Sequence, residues 1–228
     1  MSKNYKGFMG EQIGKLGPAV GYMFRGQQAY RAYTKAVRNP RTPKQQRGRI
    51  QFSELSVLSR AFAPGIAVGL GQYARQRGGY YRPTFCGLNW GAITVNAAGD
   101  ASVDYSALMI ALGGTPVVYF ERANYETPQK VIVPFKSNMG VGGALENDTV
   151  YLLAYCPSLN TSILSAGNTR ASEQAEISLP EAWSGESIHL YGFVRNSLGK
   201  PTWIDALQTT LEPGASSDST YLGQGTIG

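Results

Sequence analysis

The sequence predicts a mainly β protein. It reads as antiparallel β-sandwich or jelly-roll modules, a double jelly roll being one arrangement of them, behind a basic N-terminal arm and one helix near residues 43–62. Three observations predict this. Charged residues make up only 16% of the chain, where about 25% is usual, while Gly (28) and Tyr (14) are plentiful. That composition suits short strands and many turns. Beyond residue 83, short β-rich runs recur between Gly, Pro and Asn at the spacing of a sandwich. Positive charge, finally, is gathered at one end: residues 1–82 hold 15 Lys/Arg against Glu11 and Glu54, a net of +13, and residues 83–228 hold six against 13 acids, a net of −7.

The length of 228 residues allows one large domain or two small ones. We divide it into a basic arm plus helix (1–82) and two β modules (83–140 and 141–228), with 83–228 as a single core the other possibility. Residues 7–21, GFMGEQIGKLGPAVG, carry too many glycines for a stable helix. An extended arm, or one packed closely on another backbone, fits better. Tyr30, Ala32 and Thr34 then alternate with Arg31, Tyr33 and Lys35 at the period of a strand.

Asn39-Pro40 marks a turn. Thr42 follows as an N-cap, with Pro43 at N1 and Gln45 at N3, the pattern of a capping box. Ile50, Leu55, Leu58 and Phe62 recur at helical spacing until Pro64-Gly65, with Gly48 weakening the first turns. The first β set comprises GAITVNAAG (91–99), ASVDYSALMIALGG (101–114), PVVYFERANYE (116–126) and KVIVPF (130–135). After the Gly-rich break at 137–148, the second comprises TVYLLAYCP (149–157), TSILSAG (161–167), AEISLP (175–180), SIHLYGFVRN (187–196), TWIDALQTTL (202–211) and STYLGQGTI (219–227).

No catalytic pattern stands out. His189 is the single histidine, so it supplies neither a zinc site nor a nucleophile–base pair in a recognisable motif; alternation puts it on the face opposite Ile188 and Leu190. Gly69-Leu-Gly71-Gln-Tyr-Ala74 matches a dinucleotide fingerprint only formally, without a βαβ unit or a following acid. Cys156 reads as a buried thiol, and nothing requires a Cys86–Cys156 bridge. We expect no enzyme, no cofactor, no metal and no small-molecule substrate. Nor do we expect a leader or a membrane span: the apolar stretch Ala61–Leu70 is broken by Pro64 and Gly65 and too short.

The chemical signal is basic residues interleaved with aromatics. Arg25, Arg31, Lys35, Arg38, Arg41, Lys44, Arg47 and Arg49 offer charge for a polyanion, and Tyr22, Phe24, Tyr30 and Tyr33 offer stacking faces. A second cluster, YARQRGGYYRP, adds Arg75, Arg77 and Arg82. This combination holds single-stranded nucleic acid, lies equally well on an anionic membrane surface, and also suits the acidic body of a neighbouring copy.

GKLGPAVGYMFRGQQAYRAYTKAVRNPRTPKQQRGRIQF, SVDYSALMIALGG, DTVYLLAYCP, ISLPEAWSGESIHLYGFV and SDSTYLG occur in this order. With these blocks the chain resembles the Bacteroidota domain-of-unknown-function family 6266 over nearly its whole length. It departs after Gly114, where FERANYETPQKVIVPF replaces an expected hairpin ending in Trp. The resemblance carries no activity and no catalytic residues. It implies a bacterium of that phylum or one of its phages, and NPRTPKQQ before a helix is similar to segments of phage virion proteins. Phages of this phylum include lipid-containing single-stranded DNA viruses with double-jelly-roll shells, a fold-level analogy. The expectation is therefore a capsid-type virion structural protein, a homo-oligomer or partner of other virion proteins, located in the virion or the bacterial cytoplasm. The alternatives are a cellular single-stranded nucleic-acid-binding protein and a cell-surface adhesion or carbohydrate-binding sandwich.

Overall fold

The computed structural model describes residues 3–4, 12–36, 39, 41–127, 129–197 and 209–211. The chain forms two compact units, Met1–Gln45 and Gln46–Gly228. The division thus falls at Gln45/Gln46 instead of 82/83, and the residues from 46 to 88 belong with the β body.

The first unit is a folded antiparallel meander, so of the two expectations for this segment the close packing on another backbone holds and the free extended arm does not. Its strands β1 (Lys3–Asn4), β2 (Gln12–Leu16), β3 (Ala19–Phe24) and β4 (Gln27–Ala32) follow each other in order across the sheet. The glycines that exclude a helix make the turns. Gly17, at φ 58°, precedes Pro18 in the two-residue β2–β3 link, and Arg25 and Gly26, at φ 52° and 78°, make the β3–β4 link. Two consecutive positive φ values are the mark of a type I′ hairpin turn.

The second unit begins with α1 (Pro43–Ala61), whose first turn spans the division between the units. The expected cap is present: the Gln45 N–H donates to Thr42 Oγ1 at 3.4 Å. Gly48 has open space where a Cβ would stand. Gly48→Ala is therefore expected to stabilise the body by about 0.5–1 kcal/mol through helix propensity, checked by denaturant titration.

Three further helices correct the expectation of one. They are α2 (Ala63–Gly69), α3 (Gly71–Gln76) and α4 (Tyr81–Leu88). Pro64-Gly65 does not end the helical stretch. A turn at Phe62 lets Pro64 sit in the first turn of α2, where its missing N–H has no helical partner to lose.

The remaining strands are β5 (Ile93–Val95), β6 (Ala101–Val103), β7 (Tyr119–Phe120), β8 (Asn124–Thr127), β9 (Lys130–Lys136), β10 (Thr149–Cys156), β11 (Thr161–Leu164), β12 (Asn168–Thr169), β13 (Gln174–Ser178), β14 (Ile188–Arg195) and β15 (Thr209–Leu211). One sheet runs β11-β10-β14-β15, with β12 also on β10. A second runs β13-β9-β7, with β8 also on β9, and β5 and β6 form a separate hairpin. All pairings are antiparallel. Because β9 pairs with β13, the two β sets share a sheet and are not separable modules at 140/141. Most of TWIDALQTTL and all of STYLGQGTI lie outside the described residues.

β10 and β14 are buried on both faces, so they read as continuous apolar runs. Val150, Leu152, Ala154 and Cys156, with Ile188, Leu190 and Val194, face the second sheet around Val131, Val133 and Ile177. Gly192 lies on that face because a Cβ there would come within 2.5 Å of the Phe120 ring. Leu153, Tyr155, Tyr191 and Phe193 face the helices around Phe62, Ile66, Leu70 and Phe85. The body is thus three layers sharing β10 and β14, with the Phe62 ring tilted against that of Tyr155, their centres 4.5 Å apart.

The run 101–114 is a strand only to Val103. Leu108, Ile110 and Ala111 are buried in an irregular segment under the helices. Asn89 substitutes for a strand partner there: its Oδ1 accepts from the Met109 N–H at 2.6 Å, and its Nδ2 donates to the Met109 carbonyl at 2.9 Å. Buried Arg170 and Asp148 pair at 3.0 Å and tie down the Gly-rich loop 137–148 through Asn138 and the Leu145 N–H.

Candidate polyanion-binding site

Strand pairing assigns the expected site residues to faces of the meander. Lys15 pairs with Val20 and Val20 with Arg31, while Tyr22 pairs with Ala29 and Phe24 with Gln27. Paired residues share a face, so Lys15, Val20, Tyr22, Phe24 and Arg31 stand together. Of these only Val20 is not exposed. Tyr33 joins them, since the Lys15 ammonium lies 4.2 Å from its ring centre. Its N–H donates to the Pro18 carbonyl at 2.7 Å, fixing the chain where β4 ends.

Arg25, in the turn, holds its guanidinium 5.1 Å from the Phe24 ring centre. Tyr30 is separated from this group. It pairs with Gly21 and lies on the opposite face with Gln28. Sequence reasoning missed Lys15, and strand register was the signal that would have found it.

The opposite face explains why residue 21 is glycine. Gln28 reaches across β3 to β2, its Oε1 accepting from the Gln12 N–H at 3.0 Å and its Nε2 donating to the Gln12 carbonyl at 2.7 Å. A Cβ at Gly21 would stand 2.2 Å from that carbonyl. Along β2, β3 and β4 only Gly21 is buried. Residues 1–45 hold nine Lys/Arg and one acid, Glu11, a net of +8, and residues 46–228 hold 12 against 14, a net of −2.

Lys35 and Arg41 are exposed between β4 and α1, and Lys44, Arg47 and Arg49 are exposed on α1. Arg38 lies outside the described residues. In the body, Arg75 is on α3, Arg77 at its C-terminal end with its guanidinium 4.4 Å from the Tyr73 ring centre, and Arg82 on α4, all exposed.

Burial pushes the Tyr105, Tyr155 and Tyr191 phenols above their ordinary range, with neighbouring phenols adding to the shift of the last two. Burial also raises the Cys86 thiol. His189 stacks on Tyr105 at 4.3 Å, on the face away from Ile188 and Leu190. Cys86 and Cys156 are both free, Cys156 within the sandwich core and Cys86 against the helical one. Among the described residues, no group of three or more His, Cys, Asp or Glu gathers to hold a metal, and no helix is long and apolar enough to cross a membrane.

Residues 10–200 match a family described as "Family of unknown function (DUF6266)". No curated protein matches the chain. Among solved structures, the fn3 domain of human collagen alpha-1(XX) chain is similar at 14% identity over 47% of this chain and 92% of its own, with a TM-score of 0.34. The fn3 domain of human contactin 1 is similar at 9% identity over 56% of this chain and 99% of its own, with a TM-score of 0.32. At those scores neither likeness decides anything about the fold or the function.

Proposed function

The chain belongs to DUF6266, the family of unknown function that spans most of its length, and from that premise we propose that it is a non-enzymatic, capsid-type structural protein of a virion, in a phage or provirus of Bacteroidota. Its body makes the contacts between subunits, in a jelly-roll-like shell. Its N-terminal sheet faces something negative: genome, anionic membrane or a neighbouring subunit. The protein then resides in the virion, and in the bacterial cytoplasm before assembly.

One observation carries this reading. Strands β2, β3 and β4 of the N-terminal sheet bury only Gly21, inside a segment of net charge +8. A small sheet needs an apolar face or a packed neighbour to be stable, so this one is built to be covered on assembly. The body supports it with a loop that presents Met139, Val141 and Leu145 to solvent at 48, 62 and 43% exposure. Apolar side chains held outward on an anchored loop suit contact between subunits.

Sedimentation and negative-stain electron microscopy of the purified full chain test the proposal. The expected result is discrete oligomers or particles as concentration rises. A chain that stays monomeric at high concentration overturns it.

A further inference from the structure

The proposed function leaves open which negative partner the N-terminal sheet meets, and with which face. We infer that the face carrying Lys15, Tyr22, Phe24, Arg31 and Tyr33 is a binding platform for single-stranded nucleic acid. The inference rests on the proposed function only in assuming that this sheet has a partner; the chemistry of the face selects the partner.

Single-strand platforms combine rings on which bases stack with cations that follow the phosphates. Tyr22 and Phe24 are exposed at 38 and 56%. Two residues apart on β3, they stand about 6.6 Å apart along the strand, close to twice the 3.4 Å rise between stacked bases. Each ring therefore has room for its own base. Lys15 and Arg31 flank Val20 in one row across three strands, and Arg25 adds charge beside Phe24.

A neighbouring copy of the chain fits less well than a strand of phosphates. A second copy of the chain offers too little complementary charge, because residues 46–228 carry a net of only −2 against the +8 of residues 1–45. Several acids of the body are already paired: Glu126 and Glu176 with Lys130, Glu121 with Lys136, and Asp148 with Arg170. A chain of phosphates has no such limit.

The test measures binding of the full-length protein to a labelled oligothymidylate by fluorescence anisotropy, between 50 and 200 mM salt. Tyr22→Ala with Phe24→Ala is expected to weaken binding about tenfold or more, the scale of lost base stacks. The ring-retaining pair Tyr22→Phe with Phe24→Tyr is expected to stay within about twofold, on the same ground. Lys15→Gln with Arg31→Gln is expected to flatten the salt dependence by about 1.4 in log–log slope, the share of two phosphates. Tyr30→Ala, on the opposite face, is expected to change affinity less than about twofold. Amide exchange over residues 12–32 checks that each variant keeps the sheet.

No binding of the oligonucleotide at 50 mM salt overturns the inference, as does binding to anionic phosphatidylserine vesicles in its place, or equal losses from the Tyr30 and Tyr22/Phe24 variants. Particles that assemble from a chain that ignores the oligonucleotide sink this inference and leave the structural role standing. Tight, face-specific binding by a chain that never assembles does the reverse.

Discussion

Asp148→Ala is expected to lower the thermal midpoint of the body by about 6–20 °C, the equivalent of about 3–5 kcal/mol for a unit of this size. The side chains of Asp148 and Arg170 are both fully buried. Asp148 accepts from Arg170 Nη2 at 3.0 Å, from the Leu145 N–H at 2.9 Å and from the Ser197 N–H at 3.0 Å. Arg170 also donates to the Pro116 carbonyl at 2.8 Å and to Asn138 Oδ1, and Asn138 donates onward to the Val117 carbonyl. Removing the carboxylate strands a guanidinium away from water and frees two backbone donors, so most of the loss comes from the unpaired charge. A paired replacement, Asp148→Leu with Arg170→Met, is expected to lose much less than either single change, because no charge is left behind. Differential scanning calorimetry of Asp148→Leu, Arg170→Met and the paired replacement decides this. Equal losses in the single and double variants would show that the pair holds the loops only by shape.

Gly69→Ala is expected to cost about 1–3 kcal/mol by overpacking, more than Gly65→Ala, although both sit one turn apart on α2. A Cβ at Gly69 would stand 2.3 Å from Ala111 Cβ, 2.5 Å from the Ile110 carbonyl oxygen and 2.8 Å from Ala111 Cα. Two of those atoms are backbone. The segment is pinned there as well, with the Leu112 N–H donating to the Gly69 carbonyl at 3.1 Å. A Cβ at Gly65 would instead meet the tip of Leu153, 2.5 Å from Cδ2, which a rotamer change can move. Urea midpoints of the two variants are expected to rank in that order, and the reverse ranking would show that the 110–112 segment yields more easily than Leu153.

Some of this was legible in the sequence for local reasons. Thr42, Pro43 and Gln45 mark the start of α1 because a cap is written in adjacent residues. β10 and β14 announce themselves because burial on both faces leaves few polar positions to interrupt the run. What was illegible depends on contacts distant in sequence. Leu108–Ala111 has the composition of a strand, but Asn89 supplies the hydrogen bonds a neighbouring strand would make. The helices α2 to α4 are six to eight residues long, too short to hold by propensity. They persist because Ile66, Leu70, Ala74 and Phe85 are buried at 0–1% exposure. The candidate site was legible in its residue types but not in its grouping. Only the register of β3 against β4 separates Tyr30 from Tyr22 and Phe24, and only the β2–β3 pairing brings Lys15 beside them.

β10 is the common wall of two rooms. Its even-numbered side chains furnish the sandwich and its odd-numbered ones the helical core, and of its partners β11, β12 and β14 the last, with the longest pairing, arrives more than 30 residues later. Until that late strand is present the wall is unfinished on both sides. A ribosome making this protein would therefore hold an unfinished body until residue 195 has emerged, and would then see both cores close together.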